Sequence, residues 1–193
     1  MTHVNETLAL IEARTSTRAF TDEPVTAEER DAVLHAAMRA PTAGNMLLYS
    51  IIEVEDPATK DALAVICDDQ PFIAKAPWVL LFLADYQKWI DLWDASDAEA
   101  MPGVGHPGPP GPGDLMLACS DALIAAQTAV IAAGSLGIGS CYIGDIMENA
   151  EQVIGLVDLP PHTFPIAMLV LGRPAHSRPL QPRYEKHVVH RDR

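Results

Sequence analysis

Arg14-Thr15-Ser16-Thr17-Arg18 is the most informative stretch of the sequence, because it concentrates two arginines around a serine. In an extended chain alternate side chains share a face, so those of Arg14, Ser16 and Arg18 are expected to project together. Guanidinium groups bind phosphate oxygens bidentately and a hydroxyl adds a donor, so the spacing predicts an anion cradle. The competing interpretation is that the arginines form surface ion pairs with nearby carboxylates, namely Glu12, Asp22 and Glu23.

The composition predicts a single folded domain over residues 1–193 and excludes several kinds of partner. Hydrophobic residues make up 49% of the chain and charged residues 20%, values typical of a globular protein. A formal net charge of -13 repels nucleic acid phosphates and anionic lipids, so neither is expected to bind. Against this acidic background a local cluster of arginines indicates an anion site or a set of ion pairs.

The cysteines predict reduced thiols and a cytoplasmic protein. There are three of them, Cys67, Cys119 and Cys141, with no CxxC, which is a poor disulfide framework. Residues 1–6 lack the basic region and apolar run of a signal peptide. A metal site is not expected, since no HExxH or CxxC motif accompanies the histidines of the C-terminal tail, namely His176, His187 and His190.

Hydrophobic periodicity predicts helices and strands mixed without a strict βαβ alternation, which favours an α+β fold. The apolar residues 77–84 are expected to form a strand buried on both faces, and residues 124–138 a core helix rather than a membrane span. Predicted helices cover residues 6–13, from the capping box at Thr26 and Glu29 to Pro41, 58–67, 85–94, 115–136 and 148–156. Predicted strands cover residues 49–54, 77–84, 140–143 and 166–171, and residues 173–193 form a C-terminal arm.

Residues 100–113 are rich in proline and glycine, and they are predicted to form neither helix nor strand. The stretch is interpreted as a loop within one domain, because neither half of the chain alone has a complete set of strands. It is either a solvated surface loop or a mobile lid near a binding site.

Four further side chains allow two interpretations each. Asp121 and Gln127 lie inside the longest predicted helix, where they either support an interface or a cofactor, or make buried helix-capping or interhelix bonds. Trp89 and Trp93, four residues apart, either pack in the core or an interface, or border a binding site and its lid.

Four segments resemble, in the same order, those of nitroreductase-family flavoproteins. Residues 14–20 resemble the R-x-S-x-[RK]-x-[FY] segment that opens the family, and residues 40–45 its A-P-S-x-x-N segment. Residues 137–144 are similar to G-L-G-[ST]-x-W-I-G, and Gly172-Arg173-Pro174 with the arm from Arg183 to His190 is similar to the family's G-x-P turn and arginine-bearing arm. Together the four segments span nearly the whole chain.

The resemblance implies a nitroreductase-like α+β fold: a central, mainly antiparallel sheet surrounded by helices, in an intertwined homodimer with FMN at the interface. Arg14, Thr15, Ser16 and Arg18 would hold the FMN phosphate and ribityl end, with Arg183 adding a charge. The implied contacts from the partner subunit are Pro41, Thr42, Ala43 and Asn45. Near the isoalloxazine lie Tyr142, Ile143 and Gly144, and Gln70 would contact its pyrimidine edge.

The implied activity is FMN-dependent electron transfer from NADH or NADPH to flat electrophiles such as nitroaromatics and quinones, by a ping-pong mechanism at flavin N5. No catalytic acid or base is required, and no GxGxxG follows a predicted strand to indicate a Rossmann site. Where the family continues after Asn45 with a Gln-Pro-Trp type segment, this chain has Met46-Leu47-Leu48-Tyr49, which predicts a more apolar rim. The alternatives are a specialised relative that acts in dehalogenation or flavin breakdown, and a flavin-binding protein with little turnover.

Overall fold

A four-stranded antiparallel sheet forms the centre of the molecule, in the order β1-β2-β4-β3. The computed structural model describes residues 5–106, 108–183 and 188. The strands are β1 (Tyr49–Glu53), β2 (Trp78–Asp85), β3 (Gly139–Ile143) and β4 (Thr163–Gly172). The helices are α1 (Glu6–Ala13), α2 (Ala27–Met38), α3 (Pro57–Ile66), α4 (Pro71–Ala74), α5 (Gln87–Asp94), α6 (Pro112–Ser135), α7 (Asp145–Glu148) and α8 (Ala150–Leu156). The predicted α+β architecture and antiparallel sheet are confirmed.

Helices cover both faces of this sheet, because the two central strands are apolar on both sides. All eight residues of β2 are buried, as the continuous apolar run predicted. Leu80 and Phe82 point to the face covered by α2 and α6. Val79 and Leu81 point to the opposite face, which α3, α7 and α8 cover. The sheet therefore separates two apolar layers within one body.

The capping box predicted at the start of α2 is present. Thr26 Oγ1 accepts the backbone N–H of Glu29 at 3.3 Å, and the Glu29 carboxylate accepts the backbone N–H of Thr26 at 3.0 Å. Glu29 also accepts a 2.6 Å hydrogen bond from Arg173. These bonds lower the pKa of the Glu29 carboxyl, and the bond from the Thr26 backbone has the largest effect.

Two predicted boundaries are wrong, and each error has a structural cause. Residues 100–113 were expected to be free of helix, yet α6 begins at Pro112. Proline suits the first turn of a helix, and the Asp114 carboxylate caps that turn by accepting the Gly111 N–H at 2.8 Å. The helix expected over residues 148–156 is two helices, α7 and α8, separated at Asn149. The side-chain amide of Asn149 donates to the Ile66 carbonyl at 2.9 Å and holds this residue between the two helices.

The helix α6 is long and apolar enough to cross a membrane by length and composition alone, a criterion that core helices also meet. Its alanine-rich side, including Ala122, Ala126 and Ala129, is buried against the sheet and α2, which supports the interpretation as a core helix. Its other side exposes large apolar residues: Leu115, Met116, Leu117, Leu123 and Ile124.

Candidate active site

The segment containing Arg14 and Arg18 is extended and held against the edge of the sheet. Arg14 has extended backbone angles, and the Thr17 N–H donates to the Ser140 carbonyl of β3 at 2.9 Å. Further along, the Ala19 carbonyl accepts the N–H of Ala175 at 3.0 Å, from the chain that follows β4. Thr17 is buried, whereas the side chain of the neighbouring Ser16 is half-buried and faces the opposite way. The predicted alternation is therefore built into the backbone.

Arg14, Ser16 and Arg18 line one cavity of about 960 Å³, as the alternation predicted. Thr15 contributes to the same wall, and the C-terminal arm closes the cavity with Arg178 and Arg183. The structure thus brings Arg183 to the segment to which the family resemblance assigned it. Arg178 was missed, because its position in the bend of a proline-rich arm gives no periodic signal.

Of the carboxylates considered as ion-pair partners of these arginines, Glu12 lines the same cavity, whereas neither Asp22 nor Glu23 pairs with them in the described part of the chain. There, Arg14, Arg18, Arg178 and Arg183 form no ion pair or hydrogen bond; Arg18 lies over the Phe72 ring, 5.8 Å from its centroid. Glu23, one of the carboxylates considered as a partner, instead accepts from Arg173 at 3.0 Å. Unpaired guanidinium groups beside a serine hydroxyl are a donor set that fits a phosphate monoester.

Tyr142 lies near the end of β3, close enough to Arg14 for the charge of that arginine to act on its hydroxyl. Burial raises the pKa of its phenol to about 12, although the charge of Arg14 acts in the opposite direction. Its hydroxyl donates to Gln127 of α6 at 3.4 Å. Ile143, the next residue, is buried, and Gly144 is exposed where the strand ends. The backbone at Gly144 is therefore accessible to a bound molecule.

Gln70 is held in a single orientation near Gly144. Its Nε2 donates to the Cys67 carbonyl at 2.8 Å and to the Asp145 carboxylate at 2.6 Å. Both partners can only accept, so the amide nitrogen must face them and the carbonyl oxygen Oε1 must face away. An acceptor presented in this way fits the N–H of a pyrimidine edge.

We expect Asp145→Ala to raise the Kd for FMN by roughly 3- to 30-fold, because loss of the charged acceptor frees the Gln70 amide to rotate. Asp145→Asn keeps one acceptor oxygen and should stay within about threefold of the parent value. Quenching of flavin fluorescence on titration with each variant measures both constants. Equal affinities for the parent and the alanine variant would show that Asp145 does not orient Gln70 toward a ligand.

Pro41, Thr42, Ala43 and Asn45 form a second group, which one chain does not bring to the arginine cavity. They lie in and before a short 3₁₀ turn, Ala43–Asn45, that is bonded to α6 at Asp121. The Arg14 segment instead lines a smaller cavity with the following turns of α6, from Gln127 to Gly134. The two groups thus contact different turns of the same helix.

The buried Asp121 of α6 forms hydrogen bonds with this second group. Its carboxylate accepts the Thr42 hydroxyl, the Ala43 N–H at 3.0 Å and the Leu48 N–H at 3.2 Å. The observed bonds therefore join α6 to the segment that contains Thr42, Ala43 and Leu48. The segment concerned is the one that the family resemblance assigns to the cofactor.

The two tryptophans of α5 differ in their surroundings. Trp89 Nε1 donates to the Met46 carbonyl at 2.9 Å, so this indole borders the same segment. Trp93 meets the ring of His106 edge-on, with centroids 6.1 Å apart, and His106 is also 3.3 Å from the Asp94 carboxylate. Residues 100–106 therefore lie beside α5, and their action as a lid stays a prediction.

Thiol and metal chemistry receive little support. Cys67, Cys119 and Cys141 are free, and burial raises the pKa of the Cys67 thiol to about 12, which makes it a poor nucleophile. In the described residues no group of three or more histidine, cysteine or acidic side chains could hold a metal ion. His187 and His190, considered above as ligands, lie outside the described residues.

Comparison with known proteins agrees with this geometry. The model of the nitroreductase family matches residues 11–173. The chain is 33% identical over 192 residues to an FMN reductase (NADPH) of Bacillus subtilis strain 168, covering 98% of this chain and 74% of the relative. It is 34% identical over 186 residues to an oxygen-insensitive NADPH nitroreductase of Salmonella typhimurium strain LT2, covering 96% and 73%.

The same likeness holds among solved structures. The NADPH:FMN oxidoreductase of Vibrio harveyi complexed with NAD+ superposes with a TM-score of 0.87 at 30% identity, covering 98% of this chain and 78% of the other. B. megaterium NfrA2 gives a TM-score of 0.88 at 32% identity, covering 98% and 75%. The ordered motifs, the sheet with its arginine cavity and these matches establish that the chain belongs to the nitroreductase family.

Proposed function

We propose that the protein is an FMN-dependent NAD(P)H oxidoreductase. The observation that carries the proposal is the cavity that Arg14, Arg18, Arg178 and Arg183 line around the hydroxyl of Ser16, four guanidinium groups against the single carboxylate of Glu12. In a chain of formal net charge -13, such a cluster of arginines indicates a binding site for an anionic ligand. Membership of a family whose relatives are named FMN reductases and NADPH nitroreductases supports FMN as that ligand.

The residues of this chain would bind and orient the cofactor. Arg14 and Arg18 donate to the phosphate from the extended segment, and the arm adds Arg178 and Arg183. Gln70 presents an acceptor oxygen to the pyrimidine edge, and the backbone at Gly144 lies open to the ring system. The chemistry that FMN supplies when bound is acceptance of a hydride from NAD(P)H and delivery of electrons to an acceptor.

We also propose that two copies of the chain complete the site. The segment with Thr42 and Asn45 and the arginine cavity meet different turns of α6, and we assign the two groups to opposite subunits of one site. The outer side of α6 supplies a surface for that subunit, since Leu115, Met116 and Ile124 are exposed there. An exposed apolar patch of this kind is typical of a protein interface.

The proposed acceptors are flat and apolar electrophiles such as nitroaromatics and quinones. The segment after Asn45 continues with Met46 and Leu47, which are apolar and only partly buried, and we propose that their remaining exposed surface makes this side of the site apolar. Polar substrates would find few hydrogen-bonding side chains there. The free thiols suit a reducing compartment, and we propose the cytoplasm.

The visible absorption spectrum tests the proposal at little cost. We expect the purified protein, alone or after addition of FMN, to carry a bound flavin that NADH or NADPH bleaches and that a quinone then restores. Steady-state rates should give parallel double-reciprocal lines, the pattern of a ping-pong mechanism. A protein that stays colourless after addition of FMN contradicts the proposal, whereas bleaching without transfer to a quinone indicates a flavin-binding protein with little turnover.

A further inference from the structure

The carboxylate of Asp121 forms an unusual junction between α6 and the loop of residues 42–48, which we call the 42–48 loop. Only 3% of Asp121 is exposed, on a helix side whose other buried residues are alanines and Val130. One oxygen accepts the Thr42 hydroxyl and the Leu48 N–H at 3.2 Å, and the other accepts the Ala43 N–H at 3.0 Å. A single side chain thus binds both ends of the loop.

The 42–48 loop requires such an anchor because its backbone is strained. Gly44, Asn45 and Leu47 have positive φ angles of 57°, 58° and 49°. Glycine and asparagine tolerate this left-handed region, whereas leucine is unfavourable there. Inside the loop, Thr42 Oγ1 also accepts the Leu47 N–H at 2.9 Å, so the hydroxyl that donates to Asp121 braces the most strained residue.

The strained conformation presents Asn45 to the outside. Asn45 is exposed at the turn, while the neighbouring Met46 and Leu48 pack inward with Ala118 and Trp89. The electric field of Asp121 extends across the base of the loop, where it adds to the burial that raises the pKa of Tyr49. The buried Asp121 carboxylate therefore lies on the inner side of the 42–48 loop, and Asn45 lies on its outer side.

We propose that Asp121 is a positioning residue for the cofactor site: by binding Thr42, Ala43 and Leu48 it holds the 42–48 loop in the shape that directs Asn45 toward FMN. The inference rests on the proposed function, since FMN is the ligand that the loop would approach. Asp121 touches neither cofactor nor substrate in this role and acts through the loop. Loss of its charge should therefore alter the conformation of the 42–48 loop, and FMN binding should change only through the loop.

Asp121→Asn is the direct test, because asparagine is isosteric but offers one acceptor oxygen where the loop uses two. Its amide nitrogen would face an N–H of the loop or the Thr42 hydroxyl. We expect the Kd for FMN to rise at least about tenfold, and the visible circular dichroism of FMN-saturated protein to change, since the loop that borders the ring has moved.

Asp85→Asn is the matched control. Asp85 is also buried, with 7% exposed, and its carboxylate accepts the Ser50 hydroxyl and the Lys88 N–H. Its one hydrogen bond to the 42–48 loop within the described residues runs from its backbone N–H to the Leu48 carbonyl, and the substitution keeps that bond. Both variants lose a buried charge, so both should lower the melting temperature. Only Asp121→Asn should weaken FMN binding and alter the flavin spectrum. If the two variants bind FMN as the parent does, Asp121 is merely structural and the inference is overturned.

A second variant covers the case in which Asp121→Asn does not fold. Thr42→Val removes the hydroxyl that links Asp121 to Leu47. We expect Thr42→Val to raise the Kd for FMN at least about fivefold and to change the visible circular dichroism of FMN-saturated protein. A Kd and a spectrum equal to those of the parent would overturn the inference. Absence of FMN binding by the parent protein would instead overturn the proposed function, and the inference with it.

Discussion

Replacing Arg14 and Arg18 together by alanine should raise the Kd for FMN by roughly 10²- to 10⁴-fold. Each guanidinium is expected to donate charge-assisted hydrogen bonds to the phosphate, and such bonds are worth about 1.5–3 kcal/mol each. The two losses add to about 3–6 kcal/mol, and every 1.4 kcal/mol changes an affinity tenfold. The fold should survive, because Arg18 is exposed, Arg14 is half-buried, and neither makes an ion pair among the described residues.

Titration of the apoprotein with FMN, followed by quenching of flavin fluorescence, measures this change. Arg39→Ala is the matched control, since Arg39 is an exposed arginine at the end of α2, away from the cavity, and its removal should leave the Kd unchanged. Rising salt should weaken binding by the parent more than by the double variant. If the double variant binds FMN as tightly as Arg39→Ala, the arginines are surface charges only.

The arginine cavity shows how far local sequence reasoning extends. The alternation of Arg14, Ser16 and Arg18 depends only on an extended backbone, and the structure contains that backbone because Thr17 bonds to β3. Spacing alone could not choose between an anion site and surface ion pairs. That choice required the position of Glu23, which binds Arg173, a residue 150 positions away in the sequence.

Sequence reasoning left the partners of Asp121 open and missed Arg178, because both depend on contacts between distant segments. Asp121 contacts Thr42 and Leu48, which precede it by 79 and 73 residues, so no window of sequence contains the pair. Arg178 enters the cavity only because the arm bends back after β4. In contrast, the buried strand β2 and the capping box of α2 are local patterns, and the sequence predicted both correctly.

Gly139→Ala tests whether close packing beneath the Arg14 segment sets the shape of the phosphate site. A Cβ on Gly139 would overlap Thr17 Oγ1 and would lie 2.8 Å from both Thr17 Cβ and Pro174 Cγ. Thr17 is buried between Ser16 and Arg18, so it cannot yield without moving the residues that carry the site. Overpacking of this kind typically costs about 1–3 kcal/mol. We expect the melting temperature to fall by roughly 2–12 °C.

Gly155→Ala adds the same methyl group but should raise the melting temperature rather than lower it. The pair therefore separates the effect of packing from any general effect of an added methyl group. Gly155 lies in the last turn of α8, where a Cβ would meet nothing within 4 Å, and alanine in a helix is favoured over glycine by up to about 1 kcal/mol. Gly155→Ala should therefore raise the melting temperature slightly and leave FMN binding unchanged. Gly139→Ala should weaken FMN binding at least about tenfold, because displacement of Thr17 reorients Ser16 and Arg18. A Gly139→Ala variant that melts lower yet binds FMN as the parent does would show that the extended segment adjusts independently of β3, and that its backbone bond to Ser140 does not hold the arginines in place.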